Sequence, residues 1–235
     1  MTIESATGTP QLAVPQTVAS PVLVAWSGGL DSTVLLHVLA QDTEVRARGL
    51  RAVHVHHGLH PEADAWTTHC EALAEAWSVP LSVVRVDVPR DSGLGLEAAA
   101  RQARRTAFAA ELREGECLAL AQHRDDQAET FLLRALRASG PDGLASMRPW
   151  RDFAGGWMWR PLLDTPRAAL RAHADAHGLH WIEDPSNADP GFDRNFLRLK
   201  VMPLLRERWP HADAALSRAA QLSAEASDIL GERDG

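Results

Sequence analysis

Two stretches carry residue types whose spacing can do chemistry: Ser27-Gly28-Gly29-Leu30-Asp31-Ser32 and Asp126-Gln127-Ala128-Glu129. In the first, the paired glycines let the backbone take conformations that a side chain forbids. They also let several N–H groups approach an anion closely. A helix beginning at Asp31 adds unpaired N–H donors and a positive dipole end. The hydroxyls of Ser27, Ser32 and Thr33 add hydrogen bonds. Such a loop suits a phosphate or pyrophosphate. It is not a Walker A loop, which needs a longer glycine spacing and a Lys before the Ser/Thr. Asp31 stands where a cation is expected, so a phosphate there needs a bridging cation, usually Mg²⁺. The plainer alternative is a βα turn with Asp31 as a helix cap.

The second stretch follows Leu118-Ala119-Leu120-Ala121-Gln122-His123, an apolar run that ends in polar residues. Asp125 and Asp126 at a helix start are explained by the helix dipole. Capping does not explain Glu129 on the same face as Asp126, three residues on, beside His123. That face suits Mg²⁺ or the ammonium of an amino substrate. His123 suits hydrogen bonding or acid–base work. Glu97 and Arg101 are spaced i,i+4 and can form a surface ion pair. Alternatively Arg101 reaches a phosphate, with residues 87–95 as a lid. His54, His56, His57 and His60 lie within seven positions. They read as metal ligands or, more simply, as a loop lining a nucleotide pocket with Gly58 at its turn. No further Cys/His cluster completes a zinc tetrad.

The elements that position these residues alternate. Apolar, β-favouring runs predict strands at 22–26, 51–55, 81–86 and 117–121. Helical periodicity predicts helices at 31–40, 62–77, 96–112 and 125–138. Four β-α units in sequence imply an α/β fold, a doubly wound parallel sheet with helices on both faces. Ligands bind such sheets beyond the C-terminal strand ends, where Ser27, His54, Asp87 and His123 fall. After residue 139 the pattern changes. Residues 147–159 are rich in Trp, Arg and Gly with little periodicity, and residues 160–163 read as extended. A helix starts at 164–166 with Pro166 in its first turn. Residues 181–193 are turn-rich, a basic helical run begins at Arg194, and 212–230 is an Ala-rich amphipathic helix. The expected division is a leader at 1–20, a catalytic domain at 21–208 and a helical extension at 209–235.

The 235 residues suit one large domain, or one with a small extension. No apolar run has the length of a membrane span, so no membrane partner is expected. Residues 1–20 lack a basic start and read as disordered rather than as a signal peptide. Cys70 and Cys117 form no CxxC, which fits a reducing cytosol and argues against a cysteine-rich metal site. The net charge of −7 argues against general nucleic-acid affinity. Local charge is different, because arginines gather between 148 and 171 and again between 194 and 218.

The first stretch resembles the SGGxDS loop of the PP-loop ATP pyrophosphatases, which cleave ATP between the α and β phosphates. Further strings sharpen this: His54-Val55-His56-His57-Gly58, Glu97 to Arg101, Arg160-Pro161-Leu162-Leu163, Trp181-Ile182-Glu183-Asp184-Pro185-Ser186-Asn187 and Arg194-Asn195-Phe196-Leu197-Arg198. Together they resemble the N-terminal catalytic domain of the tRNA(Ile)-lysidine synthetases over about residues 22–205. In that family ATP adenylates C2 of the wobble cytidine in a CAU-anticodon tRNA(Ile). The ε-amine of free L-lysine then displaces AMP, and codon reading moves from AUG to AUA. The resemblance implies that Ser27, Gly28, Gly29, Leu30, Asp31 and Ser32 hold ATP, with His54 beside adenosine and Arg101 on phosphate. It implies Mg²⁺ on Asp31 and Asp126. Its catalytic set is Asp31, Arg101, Asp126, Glu129 and Arg194, with Asp126 or Glu129 receiving the lysine amine and Arg194 closing over ATP. The partners it implies are ATP, lysine and tRNA(Ile), with a homodimer left open.

Some positions depart from that family. Gln122 stands where a second His is frequent, and His56 where Asn is common. Many relatives continue into small C-terminal domains, whereas this sequence ends at Gly235, as a short form or a truncation. Two rivals remain at this point. One is a cytidine thiolase, which needs cysteine pairs. The other is a non-catalytic nucleotide- or tRNA-binding remnant, against which the intact Asp31, Asp126, Glu129 and Arg194 argue.

Overall fold

A computed structural model describes residues 19–89 and 95–233. Most of the expected leader and residues 90–94 of the expected lid lie outside the described residues. Strand β1 (Val22–Ala25) is apolar throughout and almost wholly buried, as a strand covered on both faces must be. It feeds α1 (Leu30–Gln41) through the glycine loop. A short helix α2 (Thr43–Arg48) follows, capped by Asp42, whose Oδ1 accepts from the N–H groups of Glu44 and Val45. Then come β2 (Leu50–His56), α3 (Ala63–Ala76), β3 (Leu81–Arg85), α4 (Leu96–Glu111), β4 (Cys117–Ala119) and α5 (Arg124–Leu136). The four expected β-α units are therefore present, with ends shifted by a few residues.

After α5 the chain forms α6 (Pro141–Leu144) and a hairpin of β5 (Trp150–Phe153) and β6 (Gly156–Trp159). Helices α7 (Arg167–Ala176), α8 (Asp193–Phe196), α9 (Met202–Arg208) and α10 (Ala212–Arg233) complete it. The sheet order is β3-β2-β1-β4-β6-β5. Every neighbouring pair is parallel except β5 with β6, so the parallel sheet gains one antiparallel edge strand. Residues 161–164 form a turn rather than the expected extended segment. Pro166 precedes α7 as its cap instead of sitting in its first turn. Among the described residues, no helix is long and apolar enough to cross a membrane.

Two apolar layers sandwich the sheet. One joins Val24, Trp26, Leu35, Leu36, Cys70 and Leu170, under α1, α3 and α7. The other joins Leu23, Val53, Phe108, Leu118 and Met158, under α4. The strand order runs outward in both directions from β1 and β4, so the topological switch point lies between them. Helix α10 lies along α5 and α6, tied by Arg148 to Asp228 at 2.9 Å and Gln221 to Asp164 at 2.8 Å.

Helices α1 and α7 meet through histidines. His37 Nδ1 lies 3.1 Å from His173 Nε2, and the His173 and His177 rings stack at 4.1 Å. Burial, then the neighbouring His177, holds His37 below its ordinary value of 6.5. A histidine with a depressed folded pKa gives stability that is present above the unfolded pKa and lost as pH falls through the folded one. The melting temperature should therefore fall between about pH 7 and pH 5, and His37→Asn should flatten that slope. A thermal melt series shows it, and the same slope in both proteins contradicts it.

Candidate active site

Strand β1 delivers Trp26 to Gly29 to the switch point, where hydroxyls bind the loop to itself. Ser27 Oγ and Ser32 Oγ are 3.0 Å apart, and Ser32 Oγ donates to the Gly29 carbonyl at 3.1 Å. Thr33 Oγ1 donates to the Gly28 carbonyl and accepts from Trp26 Nε1, both at 3.1 Å. His54 is buried in β2, and its Nδ1 donates to the Trp26 carbonyl at 3.0 Å. Gly28 has φ +84°, and a Cβ there would lie 2.3 Å from Ile182 Cδ1 and 2.9 Å from Cys70 Sγ. The Ile182 N–H donates to the Gly28 carbonyl at 2.8 Å. The Trp181–Asn187 string is thus the support of the glycine loop. Gly28→Ala meets both an unfavourable φ and a clash, and should cost about 1–3 kcal/mol of stability along with ATP affinity. Chemical denaturation and ATP titration measure both, and wild-type values in both contradict the packing account.

Across the switch point, β4 leads into His123, the cap of α5. His123 Nδ1 accepts from the Asp126 N–H at 3.4 Å, and Asp126 Oδ2 accepts from the His123 N–H at 3.2 Å. This is a reciprocal capping box built on a histidine. The imidazole is fully buried. Its Nε2 lies 3.6 Å from Asp31 Oδ2 and 3.4 Å from Asp126 Oδ2, while Asp125 Oδ1 is 3.8 Å from Nδ1. Burial alone lowers the pKa of His123, but the three carboxylates outweigh it and hold the ring above its ordinary value. Burial raises the carboxyl of Asp31, but His123, Arg167 and Arg198 outweigh it and hold that group below the usual range.

Asp126 and Glu129 share a cation already within the chain. Arg198 Nε donates to Glu129 Oε1 at 2.8 Å, and its Nη2 donates to Glu129 Oε2 at 2.9 Å and to Asp126 Oδ1 at 3.0 Å. Glu129 is 1% exposed. Its burial holds the carboxyl above the ordinary range in spite of Arg198. Arg194 stands at the rim, with Nη2 donating to Thr130 Oγ1 at 2.6 Å and Nε 3.7 Å from Glu129 Oε2. Buried Glu129 and half-buried Asp126 therefore hold a cation beside a glycine-rich anion loop.

A family model described as a PP-loop domain matches residues 2–205. The chain belongs to the PP-loop family. It is 64% identical over 228 residues to a tRNA(Ile)-lysidine synthase of Xanthomonas axonopodis pv. citri, covering 97% of this chain and 51% of that protein. It is 59% identical over 214 residues to the protein of that name in Xylella fastidiosa, covering 91% and 49%. It is 57% identical over 212 residues to that of Escherichia coli O157:H7, covering 90% and 49%. The chain spans about half the length of these curated relatives. Among solved structures it resembles the U34-tRNA thiolase NcsA from Methanococcus maripaludis, solved with its 4Fe–4S cluster. The TM-score is 0.72 at 15% identity, covering 88% of this chain and 72% of that one. At that identity the likeness establishes the shared fold.

Within the PP-loop site, the fold brings together Ser27 to Ser32, Asp126, Glu129 and Arg194. His54 lies beneath the loop, where it holds the Trp26 carbonyl. Arg101 stands apart on the exposed side of α4, and among the described residues no ion pair joins it to Glu97. The sequence reading missed two cations. Arg167, in the first turn of α7, places Nε 3.5 Å from Asp31 Oδ1. Arg198 was visible only as the end of the Arg194-to-Arg198 string, whose i,i+4 spacing was the available signal. Asp31 and Asp126 converge on His123 Nε2, and among the described residues Asp31 Oδ1 is buried without a hydrogen-bond partner. Hard oxygen donors with one left unsatisfied fit Mg²⁺. Cys70 and Cys117 are both buried, and burial pushes each thiol up to about 12. Neither is a ready sulfur nucleophile at neutral pH.

Proposed function

We propose that this PP-loop chain adenylates C2 of the wobble cytidine in a CAU-anticodon tRNA(Ile) and joins free lysine there, forming lysidine. The observation that carries this reading is the Arg198 guanidinium held by Glu129 and Asp126 beside Asp31. A guanidinium in that place marks where a substrate ammonium would find two carboxylates. The name shared by relatives at 57–64% identity supports the same reading.

The residues divide the work as follows. Ser27 to Ser32 cradle the phosphates through backbone N–H groups and hydroxyls. Asp31 and Asp126 would hold Mg²⁺, which would supply positive charge to offset the departing pyrophosphate. The cleft of about 350 Å³ lined by His57, Gly58, Asp87 and Val88 takes adenosine, beyond the end of β2. Arg194 covers ATP and cytidine from the rim. The cytidine oxygen on C2 attacks the α phosphorus, and pyrophosphate leaves. Glu129 then holds the lysine ammonium and accepts its proton, so the neutral amine attacks C2 and AMP leaves. A carboxyl raised by burial suits that proton transfer better than an ordinary one. Residues 21–208 form the catalytic unit in this account, and 209–235 a helical extension.

The test is a two-stage release assay. Pyrophosphate release from ATP should depend on the tRNA, and AMP release should then depend on lysine. ATP cleavage indifferent to both additions contradicts the reading.

A further inference from the structure

We infer that Arg101, Arg104 and Arg105 on α4 and Arg151 on β5 form a track for the phosphate backbone of the RNA substrate, leading from the catalytic crevice to the open edge of the sheet. The inference rests on the tRNA reading above and adds where the rest of the RNA lies.

About half of the arginines in this acidic chain end on a carboxylate. Arg51 meets Glu116 at 2.6 Å, Arg85 meets Asp64 at 2.7 Å and Arg206 meets Asp213 at 2.7 Å. The four track arginines belong to the other half. All are exposed, and among the described residues none has a carboxylate within 4.0 Å. Glu97 is the acid whose field reaches Arg104, without an ion pair.

Their placing follows from the two elements. Helix α4 buries Ala99, Ala107 and Phe108 against the sheet. Arg101, Arg104 and Arg105 are spaced i, i+3, i+4, so they stand on neighbouring turns of one side. In β5, side chains alternate, so Arg151 and Phe153 share the face that α4 covers. The Arg105 guanidinium lies 4.9 Å above the Phe153 ring, which fixes its plane. Arg151 is paired in register with Met158, and Arg160 Nη2 reaches Met158 Sδ at 2.9 Å. Arg160 is buried behind the track, bonded to Gln122 Oε1 and to the Arg148 carbonyl. Burial, then Arg151, Arg101 and Arg105, push its pKa down to about 10. Positive charge is gathered here, with Glu97 and Asp152 nearby but, among the described residues, in no ion pair with it.

Like charges packed together destabilise the free protein and require an anion. Guanidiniums one helical turn apart, about 6 Å, suit a chain of phosphates better than a single one. The planar fork of arginine also fits phosphate oxygens in pairs. The Arg160 end of the track adjoins Gln122, one residue from His123 in the crevice. The other end runs out along the edge strand. An RNA whose splayed base enters the crevice would lay its neighbouring phosphates along this line.

The test uses fluorescence anisotropy with an RNA stem-loop bearing a CAU anticodon and with one of altered loop sequence, over a range of salt. Neither Arg105 nor Arg151 has a place in the ATP or lysine chemistry. The Arg105→Glu/Arg151→Glu protein should bind both RNAs at least about tenfold more weakly, with the slope of log K against log salt reduced by about 2. Arg105→Gln/Arg151→Gln, a gentler change, should show a smaller loss in the same direction. Unchanged affinity and slope in both variants, with wild type binding RNA, overturns the track and leaves the proposed function standing. A wild-type chain that binds neither RNA overturns both. Competition by polyglutamate as strong as by RNA at equal charge overturns RNA as the occupant.

Discussion

Asp31→Asn lowers the rate of ATP cleavage about 100- to 1,000-fold, the effect of losing several kcal/mol of charge stabilisation. The change keeps the size of the side chain but removes the anion that His123, Arg167 and Arg198 surround. His123, Arg167 and Arg198 all act on this carboxylate, and its Oδ1 has no hydrogen bond to lose. The amide cannot hold a divalent cation as the carboxylate does, so the phosphates still meet the loop but lack a bridge. Pyrophosphate release at saturating ATP measures the loss. A rate within about twofold of wild type would remove Asp31 from the chemistry and leave it an acidic residue in the first turn of α1, whose cap is Gly29.

Arg198→Met has the second large effect, and it falls on stability first. Glu129 is 1% exposed and keeps its charge through two bonds to Arg198. Breaking a buried pair from one side leaves the other charge uncompensated, at a cost of about 3–5 kcal/mol. In a chain of this size that lowers Tm by roughly 6–20 °C. Adding Glu129→Gln removes the stranded charge, so the double variant should recover much of the loss. A double-mutant cycle in denaturant reads the coupling directly. Strictly additive single effects would contradict a pair that acts as a unit.

The glycine loop was legible in sequence because its chemistry is local. Two glycines, three hydroxyls and Asp31 lie within seven residues, and each bond closes within that span. The acidic helix was legible for the same reason, through the spacing of His123, Asp126 and Glu129. What completes the site is remote in sequence. Arg198 reaches Glu129 across 69 residues, and Arg167 reaches Asp31 across 136. No local periodicity records such pairings. The support of Gly28 by Ile182 is equally remote, although the string that contains Ile182 marked a site of importance.

The fold shows the same division. Strands β1 and β4 read as apolar runs because both faces are covered, whereas β2 buries Arg51, His54 and His56 among its apolar residues. The β5–β6 hairpin did not read so, because its strands have four residues each and β5 lies at the sheet edge. Its turn at Ala154 and Gly155 uses positive φ at both residues, and Ala154 gives no sequence signal for that. The short helix α2 was likewise too brief to show a period.

The most direct measurement is nucleoside mass spectrometry of a CAU-anticodon tRNA(Ile) transcript incubated with the protein, ATP and isotopically labelled lysine. The account predicts that the label enters one cytidine, at the wobble position, only when ATP is present, and that Glu129→Ala stops it more than it stops pyrophosphate release. Wobble cytidine that stays unlabelled while the protein cleaves ATP would contradict the account.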